Sequence, residues 1–237
     1  PHFLIGERSP NKQLTAVEFQ IAANGIMGKV ASAGFVPILC GGTGLYVSAI
    51  TEGYVFPKGQ SNVRIRKVLE KLSLPRLLSE LKQRDPATYT VIQKGNRRRV
   101  IRALEYVRST GNSFSLSQQK HPRPNTLVIG LRVPNAKLRT AIELRTRSMF
   151  KKGIIAETKR LLRYYPESTL LTSLGYREAT AYLRGNMSLA EAQAQTVTHT
   201  WQYTRRQMTW FRRIPNVHWV STSTAAERLA QRFLSAS

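Results

Sequence analysis

Residues 36 to 48, Val36-Pro37-Ile38-Leu39-Cys40-Gly41-Gly42-Thr43-Gly44-Leu45-Tyr46-Val47-Ser48, constrain the fold more than any other stretch of the chain. A short apolar run closes on glycines, and apolar residues then recur at helical spacing through Leu45, Val47, Ala49 and Ile50, which predicts strand, tight turn, helix. Glycines let backbone amides come close to a ligand at a helix N-terminus, and Thr43 adds a hydroxyl there, so the turn suits an anion. The same residues also suit a plain strand-turn-helix connection of an α/β domain. No charge falls between Lys29 and Glu52, but Pro37 and the glycine cluster argue against a membrane span.

On the N-terminal side, residues 3 to 8 read as a strand end or loop. Thr15 reads as the N-cap of a helix from Ala16 to Ala33 that carries Phe19, Ala23, Ile26 and Val30 on one face. Helix, buried strand, phosphate-type turn and helix in that order predict a parallel α/β sheet with crossovers. Cys40 is the sole cysteine, so no intrachain disulfide exists; its apolar surroundings predict a buried, inert thiol in a reducing compartment. No secretory or transit segment is evident. The chain opens on Pro1 rather than Met and runs into Phe3-Leu4-Ile5, which reads as a start inside a folded domain.

Net charge narrows the partner. The chain carries 37 Lys and Arg against 13 Asp and Glu, a net charge of +24. Residues 1–60 hold +1 of this, residues 61–125 hold +11 and residues 126–237 hold +12. A polyanion facing the middle and the end is expected, because Lys and Arg release condensed counterions when they neutralise phosphates.

The middle is predicted to be helical, basic and punctuated at Pro75, Asp85-Pro86, Gly95-Asn96 and Gly111. Domain bounds are expected at 1–56 for the first part of the α/β core, 57–124 for an all-helical insertion, and 125–237 for the returning strand and C-terminal helices. Asn96 should cap a helix that buries Val100, Leu104 and Val107. Arg97, Arg98 and Arg99 at its start oppose the helix dipole, by roughly 0.3–1 kcal/mol each if exposed, which favours an anion there over a merely solvated face.

Leu127 to Val133 alternates like a strand. Leu138, Ile142, Arg145 and Met149 then share a helix face, on which Arg145 either snorkels at the core's edge or points into a phosphate site. Gly153 interrupts that helix. Ser188 should cap a long helix to about Arg213 with Val197, Trp201, Thr204, Met208 and Phe211 on its apolar face. Gln202, Arg206, Thr209 and Arg213 lie opposite, as candidate phosphate contacts. Val217 to Val220 reads as a final strand, followed by a short helix through Leu229 and Phe233. The histidines lack ligand spacing, so no metal or triad constellation emerges.

An ordered set of motifs resembles one family. Pro1-His2, Phe19, Gly41-Gly42-Thr43-Gly44-Leu45-Tyr46, Asn96 through Glu105, Gly111, Leu174-Gly175-Tyr176-Arg177-Glu178 and Arg206-Gln207 with Thr209-Trp210-Phe211-Arg212 resemble tRNA dimethylallyltransferases, also called tRNA isopentenyltransferases. The resemblance implies a P-loop NTPase-like α/β core with a helical insertion that clasps the anticodon stem-loop. It implies transfer of a dimethylallyl group from dimethylallyl diphosphate to the exocyclic amine of the adenosine 3′ of the anticodon, with Mg²⁺, by a cytoplasmic monomer.

By the same resemblance Thr43 is expected at the base and diphosphate, with Gly41 and Gly42 beside it, and Arg145 at the diphosphate. Arg64, the stretch Arg98, Arg99, Val100, Ile101 and Arg102, and the stretch Thr172, Ser173, Leu174, Gly175, Tyr176 and Arg177 are expected at tRNA. The family's P-loop and general-base aspartate lie upstream of the Pro-His pair, so a polypeptide starting at Pro1 is expected to be incomplete and not catalytically competent alone. Gly6 stands where relatives often carry an acid. The rival readings are an adenylate isopentenyltransferase or P-loop small-molecule kinase, neither of which needs a basic insertion, and a non-enzymatic RNA-binding protein, which leaves the glycine-threonine turn unexplained.

Overall fold

The computed structural model describes residues 1–56 and 62–235, and its chain forms two compact units, one of residues 1–48 with 124–237 and the other of residues 49–123. The expected insertion start at 57 lies outside the described residues. No helix of the described chain is long and apolar enough to cross a membrane.

In the first unit, helix α1 (Ala16–Ser32) begins at Thr15, whose hydroxyl accepts from the Glu18 amide while the Glu18 carboxylate accepts from the Thr15 amide, a reciprocal cap. Hydrogen bonds from Thr15 and the guanidinium of Arg8 hold the Glu18 carboxyl down at about 2. The buried Phe19 of α1 stacks on Tyr46 at 4.4 Å between ring centroids, and the Tyr46 hydroxyl donates to the Leu14 carbonyl. Helix α2 (Gly44–Thr51) follows the glycine turn and crosses from the first unit into the second.

The expected strand at Val36–Cys40 is not formed: the segment is irregular, with Ile38 88% exposed and Cys40 exposed rather than buried. Among the described residues no strand runs beside it. An apolar run without a ladder partner gains neither the backbone bonds nor the burial that make a strand.

The second unit opens with β1 (Tyr54–Val55), later paired antiparallel with β2 (Gln119–Lys120). Between them lie α3 (Val63–Glu70), α4 (Leu74–Arg84), α5 (Pro86–Val91) and α6 (Arg97–Thr110). Pro75 starts α4 rather than breaking a helix, since an early helical position has no backbone donor to lose. Asn96 caps α6 and Gly111 ends it in the left-handed region at φ 72°. α3 and α4 pack on α6, enclosing Leu69, Leu77, Leu81, Val100 and Leu104 without exposure, each worth roughly 1.5–3 kcal/mol of burial. Asp85, also buried, joins the loops by accepting from the Thr88 amide, the Ser113 hydroxyl and the Phe114 amide.

The chain re-enters the first unit with β3 (Val128–Leu131), which pairs in parallel with β4 (Val217–Val220) in the register Val128 to Val217. Gly130 sits under Trp219, where a Cβ would overlap the indole. Helices α7 (Asn135–Lys151), α8 (Ile154–Tyr164), α9 (Tyr176–Leu183), α10 (Leu189–Phe211) and α11 (Ser223–Ser235), with a 3₁₀ turn at Thr169–Thr172, complete the unit. Phe150, Ile154 and Ala192 form the apolar core where α7, α8 and α10 meet. On α7 the buried stripe is Ile142, Thr146 and Phe150, so Arg145 stands on the exposed side and not within the apolar face.

Candidate functional site

The glycine turn is built against α10. Gln207 Nε2 donates to the Gly42 carbonyl at 2.7 Å, and Trp210 Nε1 donates to the buried Ser48 hydroxyl at 3.0 Å. A Cβ at Gly42 would overlap the Gln207 amide, and one at Gly44 would overlap the Trp210 indole. Trp210 thus demands glycine at 44 and Gly42 leaves room for the Gln207 amide, whereas a Cβ at Gly41 would meet open space. Thr43 is exposed, and its carbonyl accepts the amides of Tyr46 and Val47 as α2 begins. Beside the turn, a shallow groove of about 330 Å³ is lined by Arg205, Arg206, Thr209, Trp210 and Arg213. Cationic donors therefore share Trp210 with the wall of the turn.

Glu178, 1% exposed, is the second organising point. It accepts from the Gly175 amide at 2.8 Å, from Arg177 Nε and Nη2 at 2.9 and 2.8 Å, and faces His199 Nδ1 of α10 at 2.7 Å. Burial pushes its carboxyl up, but Arg177, the Gly175 amide and His199 outweigh this and hold it below the usual carboxylate range. Gly175 itself needs φ 86°, and a Cβ there would press on Ile154 and Met149. Gly175 is buried and Arg177 is tied to Glu178, so of the stretch expected at RNA only Thr172, Ser173 and Arg177 are exposed, with Leu174 and Tyr176 half-buried.

In the second unit Arg98 and Arg99 are exposed on the first turn of α6, and Arg64 is exposed on α3. Val100 and Ile101, expected in the same RNA-facing stretch, are core side chains instead: α6 turns them inward onto α3 and α4. Arg102 is half-buried and bonds the fully buried Glu105 at 3.3 Å, with Arg66 at 2.9 Å on the same carboxylate. Arg97 donates to the Glu70 carbonyl at 2.8 Å. The arginine run therefore divides into structural members, Arg97 and Arg102, and outward members, Arg98 and Arg99.

The IPP transferase family model matches residues 1–214. The chain belongs to the IPP transferase family. A tRNA dimethylallyltransferase of Acaryochloris marina is 36% identical over 228 residues, covering 95% of this chain and 76% of the relative. One of Anoxybacillus flavithermus is 35% identical over 99% of this chain and 77% of the relative. The crystal structure of a tRNA isopentenylpyrophosphate transferase from Bacillus halodurans superposes with a TM-score of 0.70 at 30% identity, over 100% of this chain and 78% of that one. A eukaryotic dimethylallyltransferase acting on tRNA has a TM-score of 0.82 at 21% identity over 97% and 64%, a likeness of fold. This family member thus has the P-loop NTPase-like α/β fold of its relatives, here as a two-stranded parallel sheet flanked by helices.

Sequence reasoning missed the contacts from Gln207 and Trp210 to the turn, because they join positions about 165 residues apart. It also missed the Glu178–His199 link. The local signal that existed was Gly175 followed three residues later by Glu178, a cap pattern that leaves a carboxylate at a helix start.

Proposed function

We propose that this protein transfers a dimethylallyl group from dimethylallyl diphosphate to the exocyclic amine of the adenosine 3′ of the anticodon in tRNA. The observation that carries the reading is the glycine-threonine turn held by Gln207 and Trp210 beside an arginine groove, within a chain of this family. In the reaction the allylic C–O bond breaks, diphosphate leaves with the electron pair, and the adenosine amine forms the new C–N bond and releases its proton to water or to the departing diphosphate. Negative charge grows on the departing diphosphate, so fixed donors lower the barrier.

In this reading the Thr43 hydroxyl and the amides at Gly41 and Gly42 meet the diphosphate or the base, and Arg145 meets the diphosphate. Mg²⁺, when bound, would neutralise diphosphate charge. The described residues hold no group of three or more His, Cys, Asp or Glu able to cage it, so no step is assigned through it. The sequence's one aspartate, Asp85, is a buried helix cap, so it does not take the amine proton. The outward arginines of the second unit, Arg64, Arg98 and Arg99, suit the backbone of the anticodon stem-loop, whose unpaired bases leave the stack at modest cost.

The test is incubation of the full-length protein with tRNA, labelled dimethylallyl diphosphate and AMP as competitor acceptor. Label in tRNA is expected. Label in AMP instead would make the protein an adenylate isopentenyltransferase, and RNA binding with label in neither acceptor would make it an RNA-binding protein.

A further inference from the structure

Glu105 stands where a charged residue should meet water. Arg98, Arg102, Glu105 and Ser109 recur at helical spacing and form one stripe of α6. Arg98 and Ser109 on that stripe are exposed, yet Glu105 is fully buried. Two arginines cover it: Arg102 from the preceding turn, 3.3 Å from Oε2, and Arg66 from α3, 2.9 Å from the same oxygen. Arg66 thus reaches across from its own helix to the outward stripe of α6, the stripe that also carries Arg98.

Stability alone does not account for this arrangement. Burying a carboxylate beneath guanidiniums costs desolvation about as large as the attraction returns, so such a cluster is weak evidence for stability. Nor is the contact the one a gripping pair makes in the same unit. Arg108 holds Glu80 with Nε and Nη2 together, at 2.7 and 2.6 Å. Arg66 gives Glu105 Nη2 alone, and its Nε is sealed from solvent. Its Nη1 has no acceptor among the described residues, and the side chain is 41% exposed. The open donor of Arg66 is therefore Nη1, held in place on the face of α6 rather than swinging on a free stem. A donor held in advance lowers the ordering cost of binding. One carboxylate under two guanidiniums also leaves the cluster positive, and the exposed Arg98 and Arg99 at the start of α6 add to it.

We propose that Arg66 is a further phosphate-binding residue for the RNA substrate, and that Glu105 is the positioning residue that presents its guanidinium. This rests on the function proposed above, which makes RNA the polyanion that meets this face.

Binding of an anticodon stem-loop by the full-length protein at several salt concentrations tests it, with folding of each variant checked by urea unfolding. Arg66→Ala should weaken binding about three- to tenfold and lower the slope of log affinity against log salt by about 1, as expected for one lost phosphate contact. Arg66→Lys keeps the charge, but one ammonium cannot serve the carboxylate and a phosphate in the guanidinium's geometry, so it should weaken binding about threefold. Glu105→Gln separates positioning from charge by sign. Removing a negative charge beside a phosphate would tighten binding through the field alone, whereas losing the anchor should weaken it about two- to fivefold. In the Arg66→Ala/Glu105→Gln pair the second change should add nothing to the first. Tighter binding by Glu105→Gln would overturn its positioning role. Arg66→Ala and Arg66→Lys with the parent's affinity and slope would overturn the whole inference, and these two decide it if Glu105→Gln fails to fold. Label transfer to tRNA under that outcome would leave the proposed function standing, whereas a reduced slope in a protein that transfers no label would keep the Arg66 contact and remove the function.

Discussion

Replacing Gly44 by alanine tests the packing of the turn directly. A Cβ at Gly44 would occupy the space of the Trp210 indole, whereas a Cβ at Gly41, two residues from Thr43, would meet nothing within 4 Å. Gly44→Ala must therefore displace Trp210 and break its bond to Ser48, whose side chain is fully buried. Overpacking costs roughly 1–3 kcal/mol, and a stranded buried hydroxyl about 1–3 kcal/mol more. Alanine at the first position of α2 returns up to about 1 kcal/mol of helix propensity. Trp210 is 39% exposed and has room to swing outward, which puts the net loss near the low end, about 2 kcal/mol.

For a chain of this size that is a fall in melting temperature of about 4–8 °C. Thermal and urea unfolding of Gly44→Ala, Gly41→Ala, Trp210→Ala and the Gly44→Ala/Trp210→Ala pair give the coupling directly. Gly41→Ala should stay within about 0.5 kcal/mol of the parent. Gly44→Ala should cost far less once Trp210 is gone. Equal costs at Gly41 and Gly44, or an unchanged cost without the indole, would refute the claim that Trp210 is what demands glycine.

Thr43→Ala should lower single-turnover transfer about ten- to a hundredfold, the worth of one hydrogen bond to a charged group, with melting temperature little changed; full activity in a destabilised protein would reduce Thr43 to a helix cap. Arg98→Ala and Arg99→Ala should each reduce the salt slope of stem-loop binding by about 1 without loss of stability, while Arg102→Ala should cost about 1–3 kcal/mol in unfolding, because it strips a partner from the buried Glu105. Glu178 is held below its ordinary pKa in the fold, so its contribution is fully present above the unfolded value near 4.3 and is lost as pH falls through the lower folded value. The stability gap between the parent and Glu178→Gln, measured by urea unfolding, should therefore narrow as pH falls below about 5.

What was legible in the sequence was local. Thr15, Ser188 and Asn96 each announce a helix start by a side chain that reaches its own amides, and Gly111 announces an end by the one backbone conformation that glycine enters cheaply. The strands Val128–Leu131 and Val217–Val220 were legible one at a time, though not their parallel pairing or register, which depend on contacts across about 90 residues. The run Val36–Cys40 misled for the complementary reason. Its composition is that of a buried strand, but strand formation is a property of a pair, and hydrophobicity carries no information about whether a partner lies alongside.

The same distinction explains the site. Charge and glycine spacing marked the turn and the arginine helix as anion-facing, but they could not separate a residue that meets a ligand from one that meets the protein. Gly42 and Gly44 look like a phosphate cradle and are also the clearance for Gln207 and Trp210. Arg98 and Arg102, one helical turn apart, look equivalent until Glu105 claims one of them. In each case the deciding contact comes from a side chain elsewhere in the fold or from a buried carboxylate beneath the surface. The turn is consequently set by α10 as well as by its own glycines: a change at Gln207 or Trp210 should disturb Thr43 as surely as a change within the glycine run.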